Sequence, residues 1–297
     1  SFLSFFNTIN HKDIISQSET IDENTVTRQL KKSSFTINDL PYLISELTPT
    51  QLEHLVQRSH NITEQRFGNT MQLFIPLYVS NACSNKCLYC GFSVDQNYKR
   101  IILKDDQIIQ EAKLLKEKGF DHILLLTGEA KQANADYIHH VVSLISPYFS
   151  SIGIEVQPLS TDDYRPIIQS GADSLTVYQE TYHPESYKKF HVLGPKKDYN
   201  YRLEPPERGA EAGFYRINLG ALLGLYDWRY EIISLAYHLD YLKRHHWQSK
   251  YGVSFPRIKK FSGCFDPPYQ VTDRHYIQII AVMRVLFPDI TITLSTR

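Results

Sequence analysis

The sequence predicts an α/β protein: a (β/α) barrel of the TIM type, incomplete at about seven strands, preceded by a helical extension. Three observations carry this expectation. The 297 residues suffice for one large domain, and an eight-unit barrel commonly takes about 250 residues. From Met71 onward, short apolar runs rich in β-branched residues alternate with longer runs of helical periodicity, the pattern of a parallel sheet wrapped by crossover helices. Residues 1–70 lack that alternation and read as a helical lead-in.

The opening Ser1-Phe-Leu-Ser-Phe-Phe6 is apolar but has neither a charged start nor an obvious small-residue cleavage site, so it reads as a segment anchored on the domain, not a secretory signal. Between Ser33 and Arg66, Asp39 is placed to cap a turn before Pro41. Thr48-Pro-Thr50 then precedes Leu52, Leu55 and Val56 at helical spacing. Strands are expected at 71–79, 121–127, 151–157, 173–178, 215–220, 252–256 and 290–295. Helices are expected near 105–118, 134–148, 161–169, 200–212, 228–247 and 272–286. The division is thus an extension over 1–70 and a barrel over 71–297.

Composition narrows the function classes. Acidic and basic residues balance at 32 each, so no net positive field recruits nucleic acid. No apolar stretch approaches the roughly 18 residues of a membrane-spanning helix. The run Cys83-Ser-Asn-Lys-Cys87-Leu-Tyr-Cys90 places three of the four cysteines in a C-x3-C-x2-C cluster. Three thiolates can hold three irons of a [4Fe–4S] cubane, leaving the fourth iron free to bind a cosubstrate. The alternative is a structural zinc knuckle, which wants a fourth ligand that only Cys264 or one of 12 histidines could supply. Cys264 reads more simply as a small buried hydrophobe. Iron-ligating thiolates argue against an oxidising compartment, and the expected location is the cytoplasm.

Function in parallel barrels collects at the carboxyl ends of strands. The first strand runs straight into Asn81-Ala-Cys83, which puts the iron ligands at that face. The second ends Thr127-Gly128-Glu129: the glycine allows close backbone approach, and the glutamate can accept from an ammonium group. The third ends Glu155-Val-Gln157-Pro, with Glu155 and Gln157 on one face by two-residue alternation. They are candidate cofactor contacts, or else an internal hydrogen-bonded pair. The fourth ends Tyr178-Gln-Glu180-Thr-Tyr-His183, where Tyr178 and Glu180 share the parity that faces the chamber. Arg202 or Arg208 could hold a carboxylate bidentately, or pair with Glu204. The last strand ends Leu294-Ser-Thr-Arg297.

The cysteine motif resembles that of the radical S-adenosylmethionine (radical SAM) superfamily, including the aromatic Tyr89 before the last cysteine. The chain is similar in more detail to one family within it. Arg66-Phe-Gly-Asn69, Pro76-Leu-Tyr-Val-Ser-Asn81, Cys90-Gly-Phe92, Thr127-Gly-Glu129, Glu155-Val-Gln-Pro158, Tyr178-Gln-Glu-Thr-Tyr-His183 and Arg202-Leu-Glu204 all stand as in that family. So do Trp247-Gln-Ser, Val253-Ser-Phe-Pro-Arg257 and Leu294-Ser-Thr-Arg297. The family is the 2-iminoacetate synthases, the tyrosine lyases of thiamine biosynthesis known as ThiH, and the resemblance runs from about residue 35 to the last residue.

That resemblance implies a [4Fe–4S] cluster on Cys83, Cys87 and Cys90, and reductive cleavage of S-adenosylmethionine to a 5′-deoxyadenosyl radical. Cα–Cβ scission of L-tyrosine then gives 2-iminoacetate and p-cresol. It further implies that Tyr89 and Phe92 flank the adenine, Glu129 receives the methionine amino group, and Arg202 binds its carboxylate. Arg297, with Ser295 beside it, would grip the tyrosine carboxylate. The expected partners are a ThiG-like thiazole synthase subunit and a flavodoxin- or ferredoxin-type reductant. Family members continue beyond Leu-Ser-Thr-Arg, so the chain is expected to lack the C-terminal part of the family's barrel. The competing readings are a hydrogenase-maturation-type tyrosine lyase, disfavoured by the Tyr-Gln-Glu-Thr-Tyr-His and Trp-Gln-Ser segments, and an inert barrel that only binds a partner.

Overall fold

Alternation decides which side of each strand meets a helix. Ile123, Leu125, Ile152, Ile154, Leu175, Val177, Ile217, Leu219 and Val253 all bury in one core with helix residues such as Ile138, Val142, Ile167 and Ile232. The computed structural model describes residues 1–258 and 265–294. The strands are β1 (Ile75–Ser80), β2 (Lys86–Cys87), β3 (His122–Thr127), β4 (Ser151–Glu155), β5 (Ser174–Glu180), β6 (His191–Leu193), β7 (Arg216–Ala221), β8 (Lys250–Ser254) and β9 (Thr291–Thr293). Seven of them form one sheet in the order β1-β3-β4-β5-β7-β8-β9. Every pairing in it is parallel.

This is the parallel β/α arrangement of the TIM-type barrel expected from the sequence, drawn as an open arc. Among the described residues β1 and β9 are its two edges and are not bonded to each other. Positions on the concave side include Gly153, Thr176, Asn218, Gly220, Gly252 and Ser254. A closed barrel fills these layers with branched side chains. Glycines and small polar side chains leave room inside the arc.

Three local differences from the expected elements have physical causes. The first strand starts at Ile75, not Met71, because its ladder begins at the Ile75–Ile123 pair, and Met71 and Leu73 stay exposed. The helix expected over 200–212 is interrupted at Glu204, giving Tyr199–Leu203 and Pro205–Ala212. Pro205 and Pro206 lack the N–H that would continue the first helix. The antiparallel β2–β6 ribbon was not expected at all, since runs of two and three residues carry no readable period.

Residues 1–67 form helices Phe2–Phe6, His11–Thr20, Glu23–Gln29, Leu40–Leu43 and Pro49–Phe67 with a short 3₁₀ turn. Thr48 caps the last of them reciprocally with Gln51. Asp39 accepts from the Thr36 N–H at 2.9 Å and closes the turn before Pro41. Phe2 and Phe6 bury in the same core as the sheet, and Phe2 stacks on His238 at a 3.7 Å centroid distance. Among the described residues no helix is long and apolar enough to cross a membrane.

Candidate active site

The loop between β1 and the Asp105–Glu117 helix carries the three cysteines, and its own backbone holds it shut. Ser80 bridges Ile102, Asn81 N–H bonds the Ile101 carbonyl at 3.1 Å, and Asn81 Oδ1 accepts the Ile101 N–H at 2.6 Å. Arg100 then donates to four carbonyls, those of Asn81, Phe92, Ser93 and Gln96. Cys87 lies in β2 and is buried, whereas Cys83 and Cys90 are half-buried; all three are free thiols. Two of the sulfurs face donors: Asn85 Nδ2 lies 3.7 Å from Cys83 Sγ, and the Phe92 N–H lies 3.4 Å from Cys90 Sγ.

Asn85, which is 1% exposed, ties this loop to the two other strand ends. Its Nδ2 donates to Glu129 Oε2 at 2.7 Å, and its Oδ1 accepts the Lys196 N–H at 2.9 Å. Ser84 adds two bonds to the Glu129 carbonyl, from its N–H at 2.8 Å and its hydroxyl at 2.9 Å. Gly128 lets β3 end this close, since a Cβ there would meet the Ala82 carbonyl oxygen at 2.3 Å. Gly194, at φ +92°, is pressed on Asn85 in the same way.

The buried charges sit at the end of β5. Glu180 pairs with Lys196 Nζ at 2.6 Å and with the Arg202 guanidinium at 3.6 Å. Arg202 Nε also donates to the Tyr178 carbonyl at 3.1 Å. Although burial opposes ionisation, Lys196 and Arg202 hold the Glu180 carboxyl below its ordinary range. Glu129 also acts electrostatically on Arg202, so two cations face two carboxylates across the strand ends. Arg202 therefore pairs with Glu180, not with Glu204, which instead lies 4.0 Å from Arg208.

Tyr89 and His191 close the cluster. His191 Nδ1 bonds the Tyr187 carbonyl at 2.7 Å, which makes that nitrogen the protonated one and leaves Nε2 to accept the Tyr89 hydroxyl at 2.7 Å. The Tyr89 ring meets His191 and Phe265 edge-on, and the Phe92 ring meets Tyr78.

The other expected site residues are placed as follows. Thr127 donates to Gln157 Oε1 at 3.4 Å, and Gln157 Nε2 donates to the Ala133 carbonyl at 2.7 Å. Glu155 ends β4, half-buried. The Tyr178 ring lies over Gly220. A bulge between Tyr178 and Glu180 breaks the simple alternation that assigned both to one face, and Glu180 takes a φ of +71°. Ser295, Arg297 and Cys264 lie outside the described residues. Asn85, Arg100, Lys196 and His191 carried no assigned role in the sequence reading. The first two lie inside the cysteine loop, where every polar residue was a signal worth weighing; Lys196 and His191 are brought in only by folding.

Three reduced thiols in one loop, with N–H donors at two of the sulfurs, suit metal-bound thiolates. Burial pushes the Cys87 and Cys90 thiols up, against the pull of Lys196, so ionised sulfur there calls for a bound cation. The residues present therefore fit an iron–sulfur cluster.

Comparison with known proteins agrees. The Radical SAM superfamily model matches residues 77–236, so the fold and the three-thiol loop define a radical SAM enzyme. Its cofactors are a [4Fe–4S] cluster and S-adenosylmethionine. The chain is 43% identical to the 2-iminoacetate synthase of Escherichia coli (strain K12) over 274 residues, covering 92% of this chain and 73% of that protein. The crystal structure of HydG, a maturase of the [FeFe]-hydrogenase, superposes with a TM-score of 0.94 at 27% identity, covering 99% of this chain and 68% of that one. HydG from Carboxydothermus hydrogenoformans gives 0.92 at 28%, covering 99% and 70%. The chain belongs to the 2-iminoacetate synthase family of radical SAM lyases.

Proposed function

We propose that this protein is a tyrosine lyase that cleaves the Cα–Cβ bond of L-tyrosine to 2-iminoacetate and p-cresol for assembly of the thiamine thiazole. The observation that carries the reading is the 43% identity to a 2-iminoacetate synthase, against 27–28% for the structurally similar hydrogenase maturases. When bound, the cluster and S-adenosylmethionine supply a primary carbon radical by reductive cleavage of the sulfonium.

The chain's own residues bind and orient. Cys83, Cys87 and Cys90 would ligate the cluster. Glu129, oriented by Asn85, would accept the methionine ammonium. Lys196 and Arg202, steadied by Glu180, would donate to the methionine carboxylate. Tyr89 and Phe92 would flank the adenine, while Thr127, Gly128, Glu155 and Gln157 line the strand ends beside it. Tyr178 faces the chamber that receives tyrosine. Arg297 and Ser295 would hold the tyrosine carboxylate.

A thiazole synthase subunit is the proposed acceptor of the imine, a flavodoxin or ferredoxin the electron donor, and the cytoplasm the location. Residues 1–70 are proposed as an extension of the barrel over 71–297. The test is anaerobic: reconstitute the cluster, add S-adenosylmethionine, a strong reductant and L-tyrosine, and quantify 5′-deoxyadenosine and p-cresol by mass spectrometry. Both products, dependent on tyrosine, are expected. Deoxyadenosine without cresol would overturn the substrate assignment.

A further inference from the structure

Glu231 stands in the Trp228–His245 helix, outside every motif, and is fully buried. Its Oε1 accepts the Thr181 hydroxyl, and its Oε2 accepts the Tyr182 N–H at 2.8 Å. The same Thr181 hydroxyl accepts the His183 N–H at 3.1 Å. The Tyr182 carbonyl accepts the Tyr199 hydroxyl at 2.7 Å, and the Tyr182 hydroxyl meets His238 Nδ1 at 3.0 Å. The residue just before this lattice is Glu180, the one non-glycine residue with positive φ among the described residues. Such a conformation persists only where the surroundings over-determine it.

We infer that Glu231 is a positioning residue for the cosubstrate end of the site: by fixing Thr181 and Tyr182 it holds Glu180 in the left-handed conformation that aims its carboxylate at Lys196 and Arg202. Packing alone does not account for the arrangement. Both carboxyl oxygens are committed to successive residues of one turn, and the peptide that joins Glu180 to Thr181 is pinned as well, by the Leu222 N–H on the Glu180 carbonyl at 2.7 Å. A carboxamide in place of Glu231 keeps an acceptor for Tyr182 and a donor for Thr181; an alanine keeps neither. The inference rests on the reading of Lys196 and Arg202 as the cations that meet the methionine carboxylate.

The experiment uses the full chain with its cluster reconstituted. S-adenosylmethionine is titrated against the EPR signal of the reduced cluster, and its KM and the kcat for p-cresol are measured alongside iron content and Tm. Glu231→Ala and Thr181→Val are each expected to weaken binding about tenfold or more and raise KM in step, with kcat at saturation little changed. Glu231→Gln should stay within about threefold of the wild type. If Glu231→Ala does not fold, Thr181→Val decides. Glu180→Gln separates the two ways of failing. If it leaves affinity unchanged, the reading of the charged cluster falls and the inference with it. If it weakens binding while Thr181→Val and Glu231→Ala bind as the wild type does, the positioning role alone is overturned, and a Glu231→Gln variant as weak as Glu231→Ala overturns it too.

Discussion

At the scale of single residues, the chemistry depends on charge placed where water is scarce. Cys87 is the most buried of the three thiols, and two remaining thiolates cannot secure a cubane. Cys87→Ala should therefore abolish the charge-transfer absorbance of the cluster and all turnover; retained iron with activity would refute the ligand set. Arg297 belongs to the proposed tyrosine subsite. Replacing its planar fork by the point charge of lysine should raise the KM for tyrosine about tenfold while iron content stays normal. An unchanged KM would remove Arg297 from the site. Glu180 shows how a residue's environment outweighs its type: at φ +71° it carries a strain of about 1–3 kcal/mol, offset by two cations and by the bonds of the following turn.

At the scale of elements, the cysteine loop is long and contributes little apolar burial of its own. Its order comes from polar bonds, with Arg100 as the staple across four carbonyls. Arg100→Ala should leave the sheet and the Tm nearly unchanged but lower iron loading several-fold and open the 81–101 segment to limited proteolysis. Full loading with an uncut loop would show that the staple is dispensable. The exit of β5 is the second element that matters. Its bulge re-aims the strand end, as bulges beside active sites do, and no period in the sequence marks it.

At the scale of the whole molecule, buried titratable groups tie stability to pH with opposing signs. Burial lowers His11 to about 4 and His238 to about 3, so below pH 6.5 the unfolded chain binds protons that the fold refuses. Their contribution is present above 6.5 and lost as pH falls. Burial raises Glu231 to about 8, so between roughly 4.5 and 8 the unfolded chain is ionised where the fold is not, and stability is lost as pH rises. Each group contributes a slope of about 1.4 kcal/mol per pH unit inside its window. With His191, which burial lowers likewise to about 3, three histidines outweigh one glutamate on the acid side, which places the maximum near pH 6.5. A Tm profile should show this peak, and Glu231→Gln should flatten its alkaline limb between 6.5 and 8. A profile that keeps rising to pH 8 would contradict the buried, neutral Glu231.

By itself the sequence determined the seven strands of the sheet and most of the helices between them, because periods of 2 and 3.6 report burial on one face of an element whatever its neighbours are. It also marked the three-cysteine loop proposed to hold the cluster, because cubane ligation needs three thiolates at short spacing and a local motif supplies them. The tertiary structure alone decided which distant groups meet there. Asn85 joins Glu129 and the backbone of Lys196, and Glu180 gathers Lys196 and Arg202. Glu231 reaches back 50 residues to Thr181. Such contacts form between strand ends and helices that the sheet order brings together. Their pairing depends on chain path and exclusion of water, and neither leaves a periodic trace in the residues themselves.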